Sequence, residues 1–102
     1  MPKENKSATK KTIKPGKDLI LSVANALKEQ ILSLIAQGIK EITIDFTGIE
    51  DMDSEGLALL IASQNSLKKI GGKLKIKNVS EKIYKFMQTI HLEKQMEVSI
   101  PL

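Results

Sequence analysis

The residues best suited to chemistry lie close together between positions 45 and 57. Five carboxylates fall in this short stretch, namely Asp45, Glu50, Asp51, Asp53 and Glu55. Clustered carboxylate oxygens are ligands that Mg²⁺ accepts, but their spacing here matches no metal-binding loop. A solvated acidic turn is therefore the favoured interpretation, and no metal or cofactor is predicted.

Ser54 lies inside this turn, where a helix N-cap is expected, because a serine oxygen can accept a hydrogen bond from a free first-turn N–H. It is also a candidate for phosphorylation, since free N–H groups and the helix dipole stabilise a phosphate. Asp51, Asp53 and Glu55 would repel that phosphate, so its main effect would be on surface charge. The residues leave both interpretations open.

Gly56 has no side chain, so another group can approach the backbone at this point. The run from Leu57 to Ala62 is apolar throughout, which predicts a helix start that is covered on most of its faces. Leu57, Leu60 and Ile61 are therefore predicted to lie in the core.

Enzyme chemistry has no support elsewhere in the chain. His91 is the single histidine and has no nucleophile at a suitable spacing, so a surface position is predicted. Ser54 lacks the preceding glycine of a nucleophile elbow, and no glycine-rich phosphate loop with a lysine is present. The chain has no cysteine, which excludes disulfides and thiolate ligands. A protein that is not an enzyme is predicted.

Composition and length indicate one small soluble domain of 102 residues, with 41% hydrophobic and 27% charged residues. Aromatic residues make up only 3%, so an aliphatic core is expected. The longest apolar run is far too short for a membrane span, and no apolar signal region follows Met1. We therefore expect a cytoplasmic protein without membrane insertion.

The positive charge is concentrated at the amino terminus. Residues 1–17 carry six lysines and one glutamate, a charge of +5, so the remaining chain sums to −1. Residues 1–8 are predicted to be a basic flexible tail preceding a domain at 9–102. The tail has no arginine and no aromatic residue, so the contacts that usually recognise nucleic acid are missing and such binding is not expected.

Hydrophobic periodicity predicts alternating strands and helices. Strands are predicted within 9–14, at 41–46, around 73–79 and at 96–100; helices are predicted at 18–37, 55–70 and 80–90. In the strand at 41–46, Ile42, Ile44 and Phe46 recur with a period of two. Gly38 is a candidate C-terminal cap of the first helix. Ser80 is expected to cap the last helix, in which Ile83, Phe86, Met87 and Ile90 form one face. The alternation of strands and helices implies right-handed crossovers and an α/β fold of about four mainly parallel strands with helices packed against the sheet. The acidic turn would then follow a strand's carboxyl end, the usual place for function in such sheets.

Three segments together resemble the STAS family, which includes the bacterial anti-sigma-factor antagonists. They are the strand Ile42–Phe46, the segment Met52–Leu57 and the turn and strand Ile70–Ile76. The resemblance covers roughly residues 12–100 and implies a single STAS-like domain. The family usually opens with a β-hairpin, whereas residues 9–14 leave room for one strand, so a shortened hairpin is expected. The edge left exposed would be guarded by lysines or covered by a second copy in a homodimer.

The resemblance also implies a switch that works by protein–protein contact. Antagonists of this family bind a serine kinase that doubles as an anti-sigma factor, and phosphorylation in this loop abolishes binding. Asp53, Ser54, Gly56 and Leu57 match the motif, but Glu55 occupies the position of the usual phosphoacceptor serine. A glutamate there carries about one negative charge, against roughly −1.5 to −2 for phosphoserine.

The predicted function is therefore an anti-sigma-factor-antagonist-like regulator that binds a serine kinase/anti-sigma factor through residues 47–57 and the following helix. Ser54 is the phosphorylation candidate. The predicted partner-binding surface comprises Asp51, Asp53, Ser54, Glu55, Gly56, Gln64 and Lys68, with Ser63 and Lys69 also facing solvent. Two alternatives are an unphosphorylated STAS subunit of a transporter or chemosensory assembly, and a module that binds a small anion or nucleotide at the helix N-terminus.

Overall fold

The computed structural model describes residues 10–101. The strands are β1 (Lys10–Ile13), β2 (Glu41–Asp45), β3 (Lys73–Lys77) and β4 (Glu97–Val98). The helices are α1 (Leu21–Ala36), α2 (Ser54–Lys69) and α3 (Glu81–Thr89), with a short 3₁₀ helix at Leu92–Lys94. The tail predicted at residues 1–8 lies outside the described residues.

The sheet has the order β1-β2-β3-β4, and each neighbouring pair of strands is parallel. Its register places Ile13 beside Ile44 and Ile44 beside Ile76. With sequential order and right-handed crossovers, the three helices lie on the same face. The predicted α/β class with four parallel strands is confirmed.

The two faces of the sheet differ because side chains alternate along each strand. Ile42, Ile44 and Leu74 point to the helical face and are fully buried. On the other face Lys75 Nζ lies 3.0 Å from Glu41 Oε2, and that hydrogen bond lowers the pKa of the Glu41 carboxyl. Polar side chains and ion pairs thus line the face that the helices leave open.

The helices bury one side each against the sheet. In α1 the buried residues are Ala24, Leu27, Ile31 and Leu34. In α3 Ile83 and Met87 are buried, whereas Phe86, which was predicted to share their face, is 45% exposed. The predicted Ser80 cap of α3 is confirmed, since its oxygen accepts a hydrogen bond from Ile83 N at 3.2 Å. Within residues 10–101, no helix has both the length and the hydropathy needed to cross a bilayer.

Several element boundaries differ from the predictions for identifiable reasons. α1 begins at Leu21 instead of residue 18, because the residues before it bond to another loop. The last strand contains only Glu97 and Val98, and the N–H of the preceding Met96 donates instead to the Leu92 carbonyl in the turn that follows the 3₁₀ helix. The predicted cap at Gly38 is confirmed: its φ is +93°, and its N–H donates to the Ile35 carbonyl.

Among the strands that residues 10–101 form, β1 lies at an edge of the sheet, as predicted. Lys10, Lys11 and Lys14 are exposed along it, and lysines on an edge strand disfavour pairing with another strand. The alternative, a homodimer that covers this edge, stays a prediction.

Candidate functional site

The acidic loop (residues 47–53) connects β2 to α2 and lies beyond the carboxyl end of β2, as predicted. The side chain of Ile49 is 2% exposed and anchors the loop in the core. Its N–H donates to the Phe46 carbonyl at 2.9 Å, closing a turn in which Gly48 has a φ of +86°. The Ile49 side chain therefore anchors the loop in the core, while the carboxylates of the loop are exposed to solvent.

The Asp45 carboxylate holds the start of the acidic loop. Its Oδ1 accepts hydrogen bonds from Thr47 Oγ1 at 2.6 Å, from Thr47 N at 2.9 Å and from Asn78 Nδ2 at 3.0 Å. The Thr47 hydroxyl, followed by the Asn78 amide, lowers the pKa of Asp45 from 3.8 to about 2. Asn78 has a φ of +58°, which aims its side chain back at the neighbouring strand end. The network joins the ends of β2 and β3.

A pH dependence of stability follows from the lowered pKa of Asp45. The ionised carboxylate stabilises the fold fully above its unfolded-state pKa of 3.8, and this contribution is lost as pH falls toward about 2. We expect the Tm of the wild type to fall more steeply between pH 4 and pH 2 than that of Asp45→Asn, which cannot ionise. Circular-dichroism melts of both proteins from pH 2 to 6 measure this difference. Parallel curves throughout would contradict the assignment.

The segment just before α1 fixes the other end of the acidic loop. Asp18 Oδ1 accepts hydrogen bonds from the backbone N–H groups of Glu50 at 2.8 Å and Asp51 at 3.1 Å. Leu19 pairs with Met52 in a parallel bridge, its N–H donating to the Asp51 carbonyl and its carbonyl accepting from Asp53 N. The loop backbone is thus held on both sides before α2 begins.

Asp53 is the N-cap of α2, and the prediction of Ser54 in this role is wrong. Asp53 has extended backbone dihedrals, and its Oδ1 accepts from Glu55 N at 3.0 Å and Gly56 N at 3.1 Å. Ser54 is the first helical residue, and it is exposed. An aspartate one position earlier takes these N–H groups, so the serine hydroxyl is not needed for the cap.

Gly56 is buried because α2 packs directly against the backbone before α1. A Cβ added at this position would lie 2.3 Å from the Leu19 carbonyl oxygen and 2.8 Å from Met52 Cγ. The close approach predicted at Gly56 is therefore real, and the approaching group is the chain itself. The contact places the first turn of α2, with Ser54, against the Leu19–Met52 bridge.

The structure brings together four of the seven predicted partner-binding residues. Asp51, Asp53, Ser54 and Glu55 are exposed at the loop and the first turn of α2. Gly56 is buried beneath them. The other two, Gln64 and Lys68, lie farther along the helix, Lys68 about 21 Å from Ser54 at 1.5 Å rise per residue.

Gln64 has a structural contact instead of a free side chain. Its Nε2 donates to the Gln95 carbonyl at 2.6 Å, and its Oε1 accepts from Leu74 N at 3.2 Å. The side chain therefore joins α2 to β3 and to the segment after the 3₁₀ helix.

The exposed face of α2 differs from the prediction. Ser63 is 5% exposed, although it was predicted to face solvent, and Ile61 is 37% exposed, although it was predicted to lie in the core. Ala58 and Ala62 are exposed as well, so the helix start is not covered on most of its faces. The apolar run hides the orientation of the helix, because periodicity cannot select a buried side when all sides are apolar.

The chemistry available here is electrostatic recognition. The exposed carboxylates of Asp51, Asp53 and Glu55 lie close to Ser54 in the chain. Lys82 Nζ approaches Asp51 Oδ1 at 3.6 Å from α3. Residues 10–101 contain no group of three or more His, Asp or Glu side chains placed to hold a metal ion. His91 is exposed just after α3, in the surface position predicted for it, with a φ of +61°.

Sequence reasoning missed the residues that fix the site. Asp18 was assigned to a helix, and Thr47 and Asn78 were given no role. The available signal was residue type, because Asp, Asn and Thr readily bond to nearby backbone where helices and strands end. Nothing in the sequence shows that Asp18 and Glu50, which are 32 positions apart, meet.

Comparison with known proteins agrees with this geometry. The family model of the STAS domain matches residues 3–100, so the chain belongs to the STAS domain family.

Among curated proteins, the chain is similar to the anti-sigma-B factor antagonist of Bacillus subtilis. The two are 30% identical over 76 residues, which cover 74% of this chain and 69% of that protein. This relative places the chain near the anti-sigma-factor antagonists within the family.

Several solved structures share the fold. Unphosphorylated SpoIIAA, an anti-sigma factor antagonist, has a TM-score of 0.76 and 22% identity, covering 88% of this chain and 80% of that one. SpoIIAA from Bacillus has also been solved in its phosphorylated form. A sulfate transporter family protein from Wolinella succinogenes has a TM-score of 0.78 and 18% identity, covering 89% and 76%. At these identities the likeness establishes the fold alone.

Proposed function

We propose that this protein is a non-enzymatic regulator that binds a serine kinase/anti-sigma factor through the acidic loop and the first turn of α2. Phosphorylation of Ser54 would control that binding. The observation that carries the proposal is the exposed Ser54 hydroxyl at the first position of a helix whose approach is fixed by Asp18, Leu19 and Asp45. Because the proposed partner is an ATP-using kinase, the proposed location is the cytoplasm.

A rigid platform suits recognition by another protein. The acidic loop is held by hydrogen bonds to Asp18 and Asp45, so binding would require little ordering of the backbone. The exposed carboxylates of Asp51, Asp53 and Glu55 favour a partner surface that carries positive charge.

Phosphate on Ser54 would act mainly through charge. The N–H groups of Glu55 and Gly56 already donate to the Asp53 carboxylate, so a phosphate would have to displace that cap or remain in solvent. It would add roughly −1.5 to −2 charges beside three carboxylates. The expected consequence is release without refolding, provided that the partner places an apolar or anionic group opposite Ser54 itself and its basic groups opposite the neighbouring carboxylates.

The switch is tested by two substitutions at one position. Ser54→Ala should keep partner binding and block regulation, whereas Ser54→Asp should weaken binding by about tenfold, since it places a permanent charge in the contact. Binding is measured by calorimetry with the purified serine kinase/anti-sigma factors of the same organism. Incubation with ATP followed by peptide mapping should place phosphate on Ser54.

Ser22→Asp is the matched control, because Ser22 is exposed in the first turn of α1. It should leave the affinity unchanged. Equal affinities for Ser54→Ala and Ser54→Asp would contradict the switch. Phosphate on a residue other than Ser54 would contradict the assignment of Ser54 as the phosphorylation site.

A second candidate is an unphosphorylated STAS subunit of a transporter or chemosensory assembly, in which Glu55 supplies a fixed charge. The similarity of fold to the sulfate transporter family protein favours keeping this candidate. A stable partner whose affinity is indifferent to ATP and to substitution of Ser54 would support it. The anion- or nucleotide-binding alternative is disfavoured, because Asp53 already occupies two N–H groups at the start of α2 and is itself negative.

A further inference from the structure

An apolar groove of about 250 Å³ runs between α1 and α2, starting beside the acidic loop. Its lining includes Ile31, Leu32 and Ile35 from α1 and Ala58, Leu59 and Ala62 from α2. Leu32 is 45% exposed along this groove, and both alanines are exposed. The small side chains of α2 leave room for side chains from outside.

The exposed side of α2 has an unusual composition for a chain in which 27% of the residues are charged. Positions 56–67 contain no charged residue. A helix face in contact with water usually carries charged side chains. Covering this face would therefore remove little charge from water, which keeps the desolvation cost of an interface low.

We propose that this groove receives an amphipathic helix of the partner protein, with a lysine or arginine of that helix facing Glu55. The inference rests on the proposed function, because it adds a second contact to the partner that binds the acidic loop. Two features of the groove support this choice of occupant, namely its length and the charge at one of its ends.

The length of the groove fits two to three turns of a helix. Its lining residues extend from Ala24 to Ile35 on α1 and from Glu55 to Ser66 on α2, a distance of about 16 Å at 1.5 Å per residue. Both walls are helices whose backbone groups form hydrogen bonds within the helix. The middle of the groove therefore has no free backbone groups with which an extended segment could pair. A helical occupant forms its own backbone hydrogen bonds and places side chains three and four residues apart in the groove.

The charges at one end of the groove indicate which charge the occupant should carry there. Glu55 lies at the end of the groove that adjoins the acidic loop, where Asp51 and Asp53 are also exposed. Lys28 is the cation that lines this end of the groove. Lys82 Nζ lies 3.6 Å from Asp51 Oδ1, so three carboxylates and two lysines surround this end of the groove. A basic residue next to the apolar stripe of the occupant therefore gives a complementary contact with Glu55.

Photo-crosslinking in the native cells tests the occupant. Benzoylphenylalanine is placed singly at Ala62 in the groove, at Asp51 in the acidic loop, and at Lys77 at the end of β3, away from the groove. The proposal expects an adduct at Ala62 whose partner peptide, mapped by mass spectrometry, has apolar residues at helical spacing beside Lys or Arg. Lys77 should give no such adduct.

Each other result overturns the proposal in a recognisable way. An adduct at Asp51 without one at Ala62 leaves the proposed function standing and rejects the groove. Adducts at neither position reject both. A lipid, a small molecule, a second copy of this chain or a peptide without the helical pattern at Ala62 rejects the proposed occupant.

The affinity is then measured with the partner so identified. Ala62→Glu introduces a carboxylate into the apolar contact and should weaken binding about tenfold or more. Asn65→Glu is the matched control, since Asn65 is exposed on the same helix but does not line the groove. It should change binding by less than about twofold. Thermal melts check that both variants fold, and equal affinities of the two variants would overturn the proposal.

Discussion

Replacing Gly56 by alanine is expected to lower the free energy of unfolding by about 3 kcal/mol, as overpacking in a rigid core does. The new methyl group would lie 2.3 Å from the Leu19 carbonyl oxygen, a backbone atom that cannot move aside like a flexible side chain. Leu19 is held in its bridge with Met52 by two hydrogen bonds, so α2 or the bridge must shift. Urea denaturation followed by circular dichroism measures the loss.

The sign of this effect is what makes it diagnostic. In a helix without such a contact, Gly→Ala stabilises by roughly 0.5–1 kcal/mol. Asn65→Ala, at an exposed position of α2, serves as a control and should be neutral or slightly stabilising. A Gly56→Ala protein as stable as the wild type would mean that α2 does not rest on the Leu19 backbone. Because Ser54 lies in the same turn, the shift should also weaken partner binding.

Leu60→Ala is expected to cost about 2–5 kcal/mol, the usual range for deleting a buried leucine side chain. Leu60 is completely buried among the residues of the core beneath α2. Its neighbour Ile61 is 37% exposed, so Ile61→Ala should cost about 1 kcal/mol or less.

The comparison of these adjacent positions measures the orientation of α2. Urea midpoints of the two variants and the wild type are sufficient, provided that the slopes of the transitions agree. Similar losses at both positions would show that Ile61 is covered in solution, for example by a second copy of the chain. A larger loss at Ile61 would contradict the described orientation of the helix.

Local sequence patterns correctly predicted which side chains are buried where only one side of an element is apolar. In β2, Ile42 and Ile44 alternate with polar residues, and both are buried as the period of two predicts. Ser80 and Gly38 were recognisable as caps because each follows directly from residue type and position. The same reasoning failed at Ser54, since Asp53 is an equally good cap one residue earlier and the helix uses it.

The sequence showed where the candidate site lies, but not which distant residues hold it in place. The acidic residues and Ser54 stand next to one another in the chain, so their proximity needed no tertiary information. The Asp18 carboxylate, the Leu19 bridge and the Asn78 amide come from segments up to 33 positions away. Their contacts depend on parallel strands bringing distant ends together at one edge of the sheet.

The sequence by itself determined the order of strands and helices, the charge of the loop and the alternation of buried with more exposed residues in β2 and β3. These properties depend on neighbours a few residues apart. Only the tertiary structure decided which side of α2 is buried, because an apolar run carries no preferred side until the sheet and Leu19 are in place. The groove between α1 and α2 is likewise a property of two packed helices, since neither helix has it alone.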